Sequence, residues 1–208
     1  MPLGFLGGIS ASICVHLRFR VFGFSSFAMK PIRLLDLGQV PWLRSQAIYH
    51  GLAEAMGDGT PDTIILAVPD APYFCIGYHQ DASVLDVDWC RKNGRPVVRR
   101  RLGGGAVYLD SRQLFYQCVF HRWRVPARVD ALYALLLGPA VAALRDVGLP
   151  ARLRHVNEIE VDGRRIAGTG AGQIEDAAVV VGNVLFDFAY EEMIQAWRVP
   201  SDIFRAQA

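Results

Sequence analysis

The 208-residue chain is 52% hydrophobic and 20% charged, which excludes a largely disordered polymer and allows one domain with a sizeable core. Its formal net charge of +2 is too small to argue for a nucleic-acid surface, and its arginines cluster locally instead of forming a long basic stripe. Cys14, Cys75, Cys90 and Cys118 are scattered, form no CxxC pair and have no histidine at ligand spacing, which argues against a structural metal and for reduced thiols in the cytoplasm.

Residues 1–28 contain no acidic residue and are apolar but interrupted by His16, Arg18 and Arg20. They lack the positive start of a signal peptide, and no uninterrupted run approaches the roughly 20 apolar residues of a membrane-crossing helix. They read as an N-terminal extension outside the fold, with residues 29–208 forming a single domain that opens at MKPIRLLDLG. Ile32 to Leu37 reads as a first strand. Trp42, Ala47, Ile48, Leu52 and Ala55 then give Pro41 to Ala55 the apolar spacing of an amphipathic helix. The β-branched run Thr63 to Val68 predicts a buried strand, closed by Pro69 to Pro72, and Tyr73 to Gly77 resumes as the next. Val87 to Asn93 reads as a short helix ended by Gly94.

The stretch Pro96 to Tyr116, PVVRRRLGGGAVYLDSRQLFY, concentrates the most chemistry. A short apolar strand ends in Arg99, Arg100 and Arg101, and Gly103, Gly104 and Gly105 follow before Ala106 to Leu109 resumes an extended run. Glycines allow positive φ and close approach of a ligand to backbone N–H groups, while arginines offer bidentate donors to phosphate oxygens. Neither Gly-Lys-Ser/Thr nor GxGxxG opening a helix is present, which leaves a strand-loop-strand phosphate clamp. A glycine-rich hairpin beside solvated arginines is the alternative.

Asp110 to Gln113 reads as a turn and Leu114 to Phe120 as a strand. Asp130 to Val147 reads as a long helix with Leu132, Leu135, Leu136, Val141 and Leu144 in the core, Gly148 as its stop and a kink or boundary at Pro139. Asn157 to Gln173, NEIEVDGRRIAGTGAGQ, reads as two strands joined by an Asp162-Gly163 hairpin turn. Residues 177–188 read as one strand broken at Gly182, followed by a helix from Tyr190 to Trp197. The succession of elements predicts an α+β fold with a mixed, largely antiparallel sheet packed against helices.

RRRLGGGAVYLD resembles the RRxSGGGAVxHD signature of the lipoate-protein ligase A family, in the biotin/lipoate ligase superfamily. CIGYHQ is similar to the family's Ile-Gly-x-x-Gln element beside the lipoyl pocket. NEIEVDGRRIAGTGA is similar to its N-D-I…G-x-K-I-S-G-S-A segment, with Asn157 on the family's Asn and Arg165-Ile166-Ala167-Gly168 on its Lys-Ile-Ser-Gly. This chain departs from the pattern at Leu102 (Ser in the family), Leu109 (His) and Gly182-Asn183 (often His-Gly). The main departure is Arg165, which replaces the Lys that contacts both the lipoyl carboxyl and the α-phosphate.

The resemblance implies a class II aminoacyl-synthetase/biotin-ligase type of fold over residues 29–208. It implies a lipoate-protein ligase that converts lipoate and ATP to lipoyl-AMP and passes the lipoyl group to a lysine of a lipoyl carrier domain, with Mg2+ as the counterion of ATP. Arg165 would be catalytic; Gly77, Arg100, Gly103, Gly104, Gly105, Ala106, Val107, Tyr108, Asn157 and Gly168 would contact nucleotide or acyl group; no residue is assigned to metal. Two other readings stay open. An ATP-independent octanoyl or lipoyl transferase would need a cysteine nucleophile, and residues 149–157 hold His155 but no cysteine. A non-catalytic lipoyl-binding or partner subunit stays open on the strength of Arg165 and the short chain. The sequence stops at Ala208, leaving no room for the additional C-terminal domain of larger ligases, so any such domain is expected to be a separate polypeptide, an accessory subunit. No nucleic-acid or membrane partner is expected.

Overall fold

A computed structural model describes residues 31–198; the expected extension at residues 1–28 and residues 199–208 lie outside the described residues. The elements in chain order are β1 (Arg33–Val40), α1 (Trp42–Glu54), β2 (Thr63–Pro69), β3 (Tyr73–Ile76), α2 (Val87–Lys92), β4 (Val97–Arg99) and β5 (Val107–Leu109), then β6 (Gln113–His121), α3 (Val129–Asp146), β7 (Arg152–Arg154), β8 (Glu158–Val161), β9 (Arg164–Ile174), β10 (Ala177–Leu185) and α4 (Tyr190–Ala196). They build the expected α+β architecture. A seven-stranded sheet runs in the order β1-β2-β6-β10-β9-β8-β7, and a separate three-stranded sheet runs β4-β3-β5. Among the described residues only the β1–β2 and β3–β4 pairs are parallel, so the fold is mixed but largely antiparallel.

Each face of the large sheet buries its apolar side chains against one helix. On one face Tyr49 and Ala53 of α1 pack with Ile65, Val119, Ile174 and Val179. On the other, Leu132, Tyr133, Leu136 and Leu137 of α3 pack with Cys118, Phe120, Ala178 and Val180. This division follows from the period-2 alternation of β2, β6 and β10, whose successive side chains point to opposite faces. The small sheet has its own cluster, in which Phe74, Ile76 and Tyr108 meet Leu85, Cys90 and Ala196 with Phe188 and Met193 beside them. Local caps agree with the elements: Asp70 accepts the Trp42 N–H at 2.8 Å at the start of α1, and Asp86 caps α2 by accepting from the Trp89 N–H at 2.9 Å.

Two expectations are corrected, at Leu135 and at Gly182. α3 passes through Pro139 without ending, because apolar contacts on both sides of it, from Leu132 to Val141, hold the helix against the sheet. Leu135, expected in the core, is 49% exposed. β10 runs unbroken through Gly182, where the glycine serves close packing: a Cβ there would lie 2.5 Å from Thr169 Cγ2 on β9. β7, too short and charged to show a strand pattern, pairs with β8 at the sheet edge. No helix among the described residues is long and apolar enough to cross a membrane.

Candidate active site

A cleft of ≈ 480 Å³ opens between the small sheet with its glycine loop and strands β6, β9 and β10 of the large sheet. Arg100, Gly104, Gly105, Ala106, Val107, Tyr108, Asn157, Arg165 and Gly168 line it. The two stretches singled out in the sequence, some sixty residues apart, thus form its opposite walls. Gly77 and Gly103 are not among its lining residues.

Gly77 is instead a clearance. A Cβ at that position would lie 1.9 Å from the Gly104 carbonyl oxygen, so only glycine lets the end of β3 pass beneath the loop. Gly104 is itself required by a φ of 98°, and a Cβ on it would lie 2.7 Å from Arg100 Nη2. Gly103 supplies a carbonyl to the loop's internal bracing. On the opposite wall Gly168 has open space where a side chain would be, and its neighbour Thr169 is tied to Asn157. The Thr169 hydroxyl donates to the Asn157 carbonyl at 2.7 Å, and Asn157 Nδ2 returns a bond to the Thr169 carbonyl at 3.0 Å.

The three consecutive arginines serve three different surfaces. Arg99 donates through Nη1 to the carbonyls of Gly77, Tyr78 and Gln80 at 2.9, 2.9 and 2.6 Å. Arg101 reaches α1 and the β9–β10 turn, with ion pairs to Glu54 at 2.5 Å and Glu175 at 3.5 Å, while its N–H donates to His50 Nε2 at 3.1 Å. Arg100 is buried, and its fork is spent on the loop: Nη2 donates to Gly103 O and Gly105 O at 2.8 and 2.9 Å, Nε to Gly103 O at 3.2 Å, and Nη1 to Cys75 O at 3.3 Å. Arg100, the residue expected to clamp phosphate, thus lines the cleft with its guanidinium bracing the loop wall. The N–H groups of Gly104, Gly105 and Ala106 have no acceptor among the described residues and are the donors left for an anion.

Arg165 stands at the open mouth, its side chain 58% exposed and paired with Glu158 at 3.0 Å. Glu158 Oε2 also has Arg154 Nε at 3.7 Å, and Glu158 is the one carboxylate among the residues lining the cleft. A single carboxylate already shared by two guanidiniums does not fit a resident magnesium site, and no cluster of metal-ligating side chains occurs among the described residues. Tyr108 packs edge-on to Phe74 and Phe188, and its hydroxyl donates to Glu192 at 3.1 Å. Burial and this carboxylate raise the Tyr108 phenol, so it stays protonated.

Cys75 lines the inner wall, and burial raises its thiol despite the nearby Arg100 guanidinium. Gln46 and Gln117 also line the cleft, and sequence reasoning missed both. Their signal was a long amide on the buried face of a helix and at the centre of the apolar strand LFYQCVF. Phe188, Met193 and Trp197, near or on α4, form the outer apolar rim and carried no such signal.

A basic-mouthed cleft walled by a braced glycine loop suits the holding of an acyl carboxylate beside an anionic leaving group, the work of an enzyme of the ligase or acyl-transferase kind. Residues 42–208 match the lipoyl protein ligase A/B catalytic domain, and the chain belongs to that family. It is 26% identical over 195 residues to the octanoyltransferase LipM of Symbiobacterium thermophilum, covering 82% of this chain and 71% of the relative. It is 29% identical over 146 residues to the lipoate-protein ligase LplJ of Bacillus subtilis, covering 66% of this chain and 41% of that longer relative. Among solved structures, a bipartite lipoate protein ligase of Thermoplasma acidophilum, described with its E2 lipoyl domain, aligns with a TM-score of 0.74 at 25% identity over 84% of this chain and 69% of that one. A lipoate-protein ligase A bound with ATP aligns with a TM-score of 0.69 at 26% identity over 83% of this chain and 74% of that one.

Proposed function

We propose that this protein is a lipoate-protein ligase: it joins lipoate to AMP using ATP, then transfers the lipoyl group to a lysine of a lipoyl carrier domain. The observation that carries this reading is one cleft holding free glycine-loop N–H groups on one wall and Arg165, Asn157 and Gly168 on the other. In the first step a carboxylate oxygen attacks the α-phosphorus and pyrophosphate leaves. In the second the lysine amine attacks the acyl carbonyl and AMP leaves. The loop N–H groups would hold phosphate oxygens without steric bulk. Arg165 would exchange Glu158 for the carboxylate and α-phosphate, its fork bridging the two. Mg2+ would arrive with the ATP phosphates. A separate accessory subunit, as in the bipartite relative, and a cytoplasmic location belong to the same proposal.

ATP-independent octanoyl or lipoyl transfer is the second reading, favoured by the likeness to LipM and by Cys75 in the cleft wall. Against it, burial keeps that thiol protonated, and transfer through a thioester needs the thiolate. Incubating the protein with lipoate and an apo lipoyl carrier domain, with and without ATP, and weighing the carrier by mass spectrometry separates the two. Lipoylation only with ATP supports the ligase. Transfer from an octanoyl- or lipoyl-carrier without ATP supports the transferase and overturns the ligase.

A further inference from the structure

Four strands carry one row of residues across the cleft. Phe115 of β6 pairs with Asn183 of β10, Asn183 with Gly168 of β9, and Gly168 with Glu158 of β8. Paired residues turn their side chains to the same face of a sheet, and all four line the cleft. Gly168 interrupts the row, since a Cβ on it would meet nothing within 4 Å. A gap is thereby left between Asn183 and Glu158, about 10 Å wide at their Cα atoms because it spans two strand spacings. The groups that border it are unequal. Asn183 is a neutral amide already engaged through Nδ2, which donates to Gln113 Oε1. Glu158 has 21% of its side chain open and faces two cations, Arg165 of β9 at 3.0 Å and Arg154 of β7 at 3.7 Å. Glu160, further along β8, pairs with Arg152 and Arg154 and does not line the cleft. The lining residues include no histidine or lysine, and burial holds the Cys75 thiol and the Tyr108 phenol protonated, so Glu158 is the one ionised base among them.

Resting on the ligase reading, in which Arg165 leaves Glu158 for the acyl carboxylate and α-phosphate, we infer that Glu158 is a further catalytic residue: it receives the carrier lysine in the gap over Gly168 and takes its proton. A lysine side chain, with a pKa of about 10.4, arrives as an ammonium and has no lone pair for attack until it sheds a proton. Glu158, having given up the Arg165 guanidinium, draws that ammonium in as the replacement cation. Arg165, now beside the acyl group, favours the neutral amine over the ammonium there. One proton therefore passes to Glu158, and the freed lone pair forms the C–N bond to the acyl carbon. The bond from that carbon to the phosphate oxygen breaks, AMP leaves with its electron pair, and the second proton lost from nitrogen passes to solvent.

The test follows single-turnover acyl transfer by the full chain from preformed lipoyl-AMP, to the lysine of a lipoyl carrier domain and to hydroxylamine, a small amine that is neutral at pH 7 and needs no base, with the uncatalysed reaction subtracted. Glu158→Gln keeps the shape and removes the charge. At pH 7 it is expected to slow transfer to the carrier about a hundredfold and transfer to hydroxylamine by roughly threefold or less. Between pH 7 and 9 the carrier rate should stay flat in the unaltered protein and climb about tenfold per pH unit in the variant, as free amine replaces ammonium in solution. Glu158→Asp, which restores a carboxylate, should regain most of the rate. Equal slowing with both acceptors, an unchanged carrier rate, or one pH profile for both proteins overturns the inference. If Glu158→Gln does not fold, the unaltered protein decides, since a carrier rate that climbs about tenfold per pH unit there overturns it too. Pyrophosphate release from ATP and lipoate is measured alongside. Its absence, with transfer from lipoyl-AMP intact, overturns the ligase reading and leaves the role of Glu158 standing, whereas failure to use lipoyl-AMP at all overturns both.

Discussion

The Gly104 carbonyl oxygen occupies the place where a side chain on Gly77 would begin, 1.9 Å from an ideal Cβ. The end of β3 and the glycine loop are thereby locked in one arrangement, although Gly77 is not itself a wall of the cleft. Gly77→Ala must push the loop outward. It should destabilise the protein by about 2–4 kcal/mol, as severe overpacking against backbone does, and weaken nucleotide binding. Gly105→Ala is the control, since its nearest neighbour would be Gln80 Oε1 at 3.9 Å. Urea denaturation and ATP titration of the two variants check this; equal stability of both would contradict it.

Arg100→Ala removes the donors that satisfy the Gly103, Gly105 and Cys75 carbonyls inside the protein. A loss of about 2–4 kcal/mol in stability is expected from the carbonyls left unpaired. Arg100→Lys should recover little of it, because an ammonium cannot reach three carbonyls in the plane of a guanidinium. Nucleotide affinity should fall in both variants. A Lys variant with normal stability and weakened ATP binding would restore Arg100 to a direct phosphate role.

Arg165 reaches the mouth of the cleft paired with Glu158, so its readiness depends on that partner. A planar guanidinium does not sit where a lysine ammonium would between two reacting groups, and a misplacement of about 1 Å can cost on the order of a hundredfold in rate. Arg165→Lys should speed pyrophosphate release from ATP and lipoate while leaving transfer from preformed lipoyl-AMP roughly unchanged. Loss of both steps would mean that Arg165 is adapted to its own chemistry.

Burial lifts the Cys118 thiol from its usual 9.0 to about 12 and raises Cys75 in the same direction. The fold favours the protonated thiol, so this contribution to stability is complete below pH 9 and is lost as pH rises from there toward about 12. The urea midpoint should hold to roughly pH 8.5 and fall above 9. The buried Tyr49, Tyr73 and Tyr116 are raised from 10.0 and add to the fall only beyond that value, so the window between 9 and 10 reports the thiols. Cys118→Ala should make the fall in that window shallower, with Cys75 and Cys90 still contributing. Cys75, Cys90 and Cys118 should also resist alkylation at neutral pH, and a triple variant that folds should retain acyl transfer.

The order and kind of nearly every element could be read from the sequence, because β2, β6 and α3 carry unambiguous periods and the turns carry their own residues. The site was legible as two stretches but not as a division of labour within them. Three adjacent arginines look equivalent in a string, and only their tertiary partners separate Arg99, Arg100 and Arg101. Leu102, a departure from the family's serine, proves to be buried against the large sheet, where Gly172 leaves it room: a Cβ there would lie 2.9 Å from Leu102 Cδ2. Such complementarity between residues seventy positions apart leaves no local trace. Gly182 misled for the same reason, since a glycine that breaks a strand and one that admits a neighbour read alike.

The glycine loop is anchored in three directions before any ligand arrives: to the turn after β3 by Arg99, to itself by Arg100, and to α1 by Arg101. Glycine-rich segments ordinarily lose much conformational freedom when a partner orders them. Here that loss is incurred during folding, so a phosphate bound as proposed would meet a preorganised receptor, and occupancy should change amide hydrogen exchange across residues 99–106 far less than an untethered loop of the same composition would show.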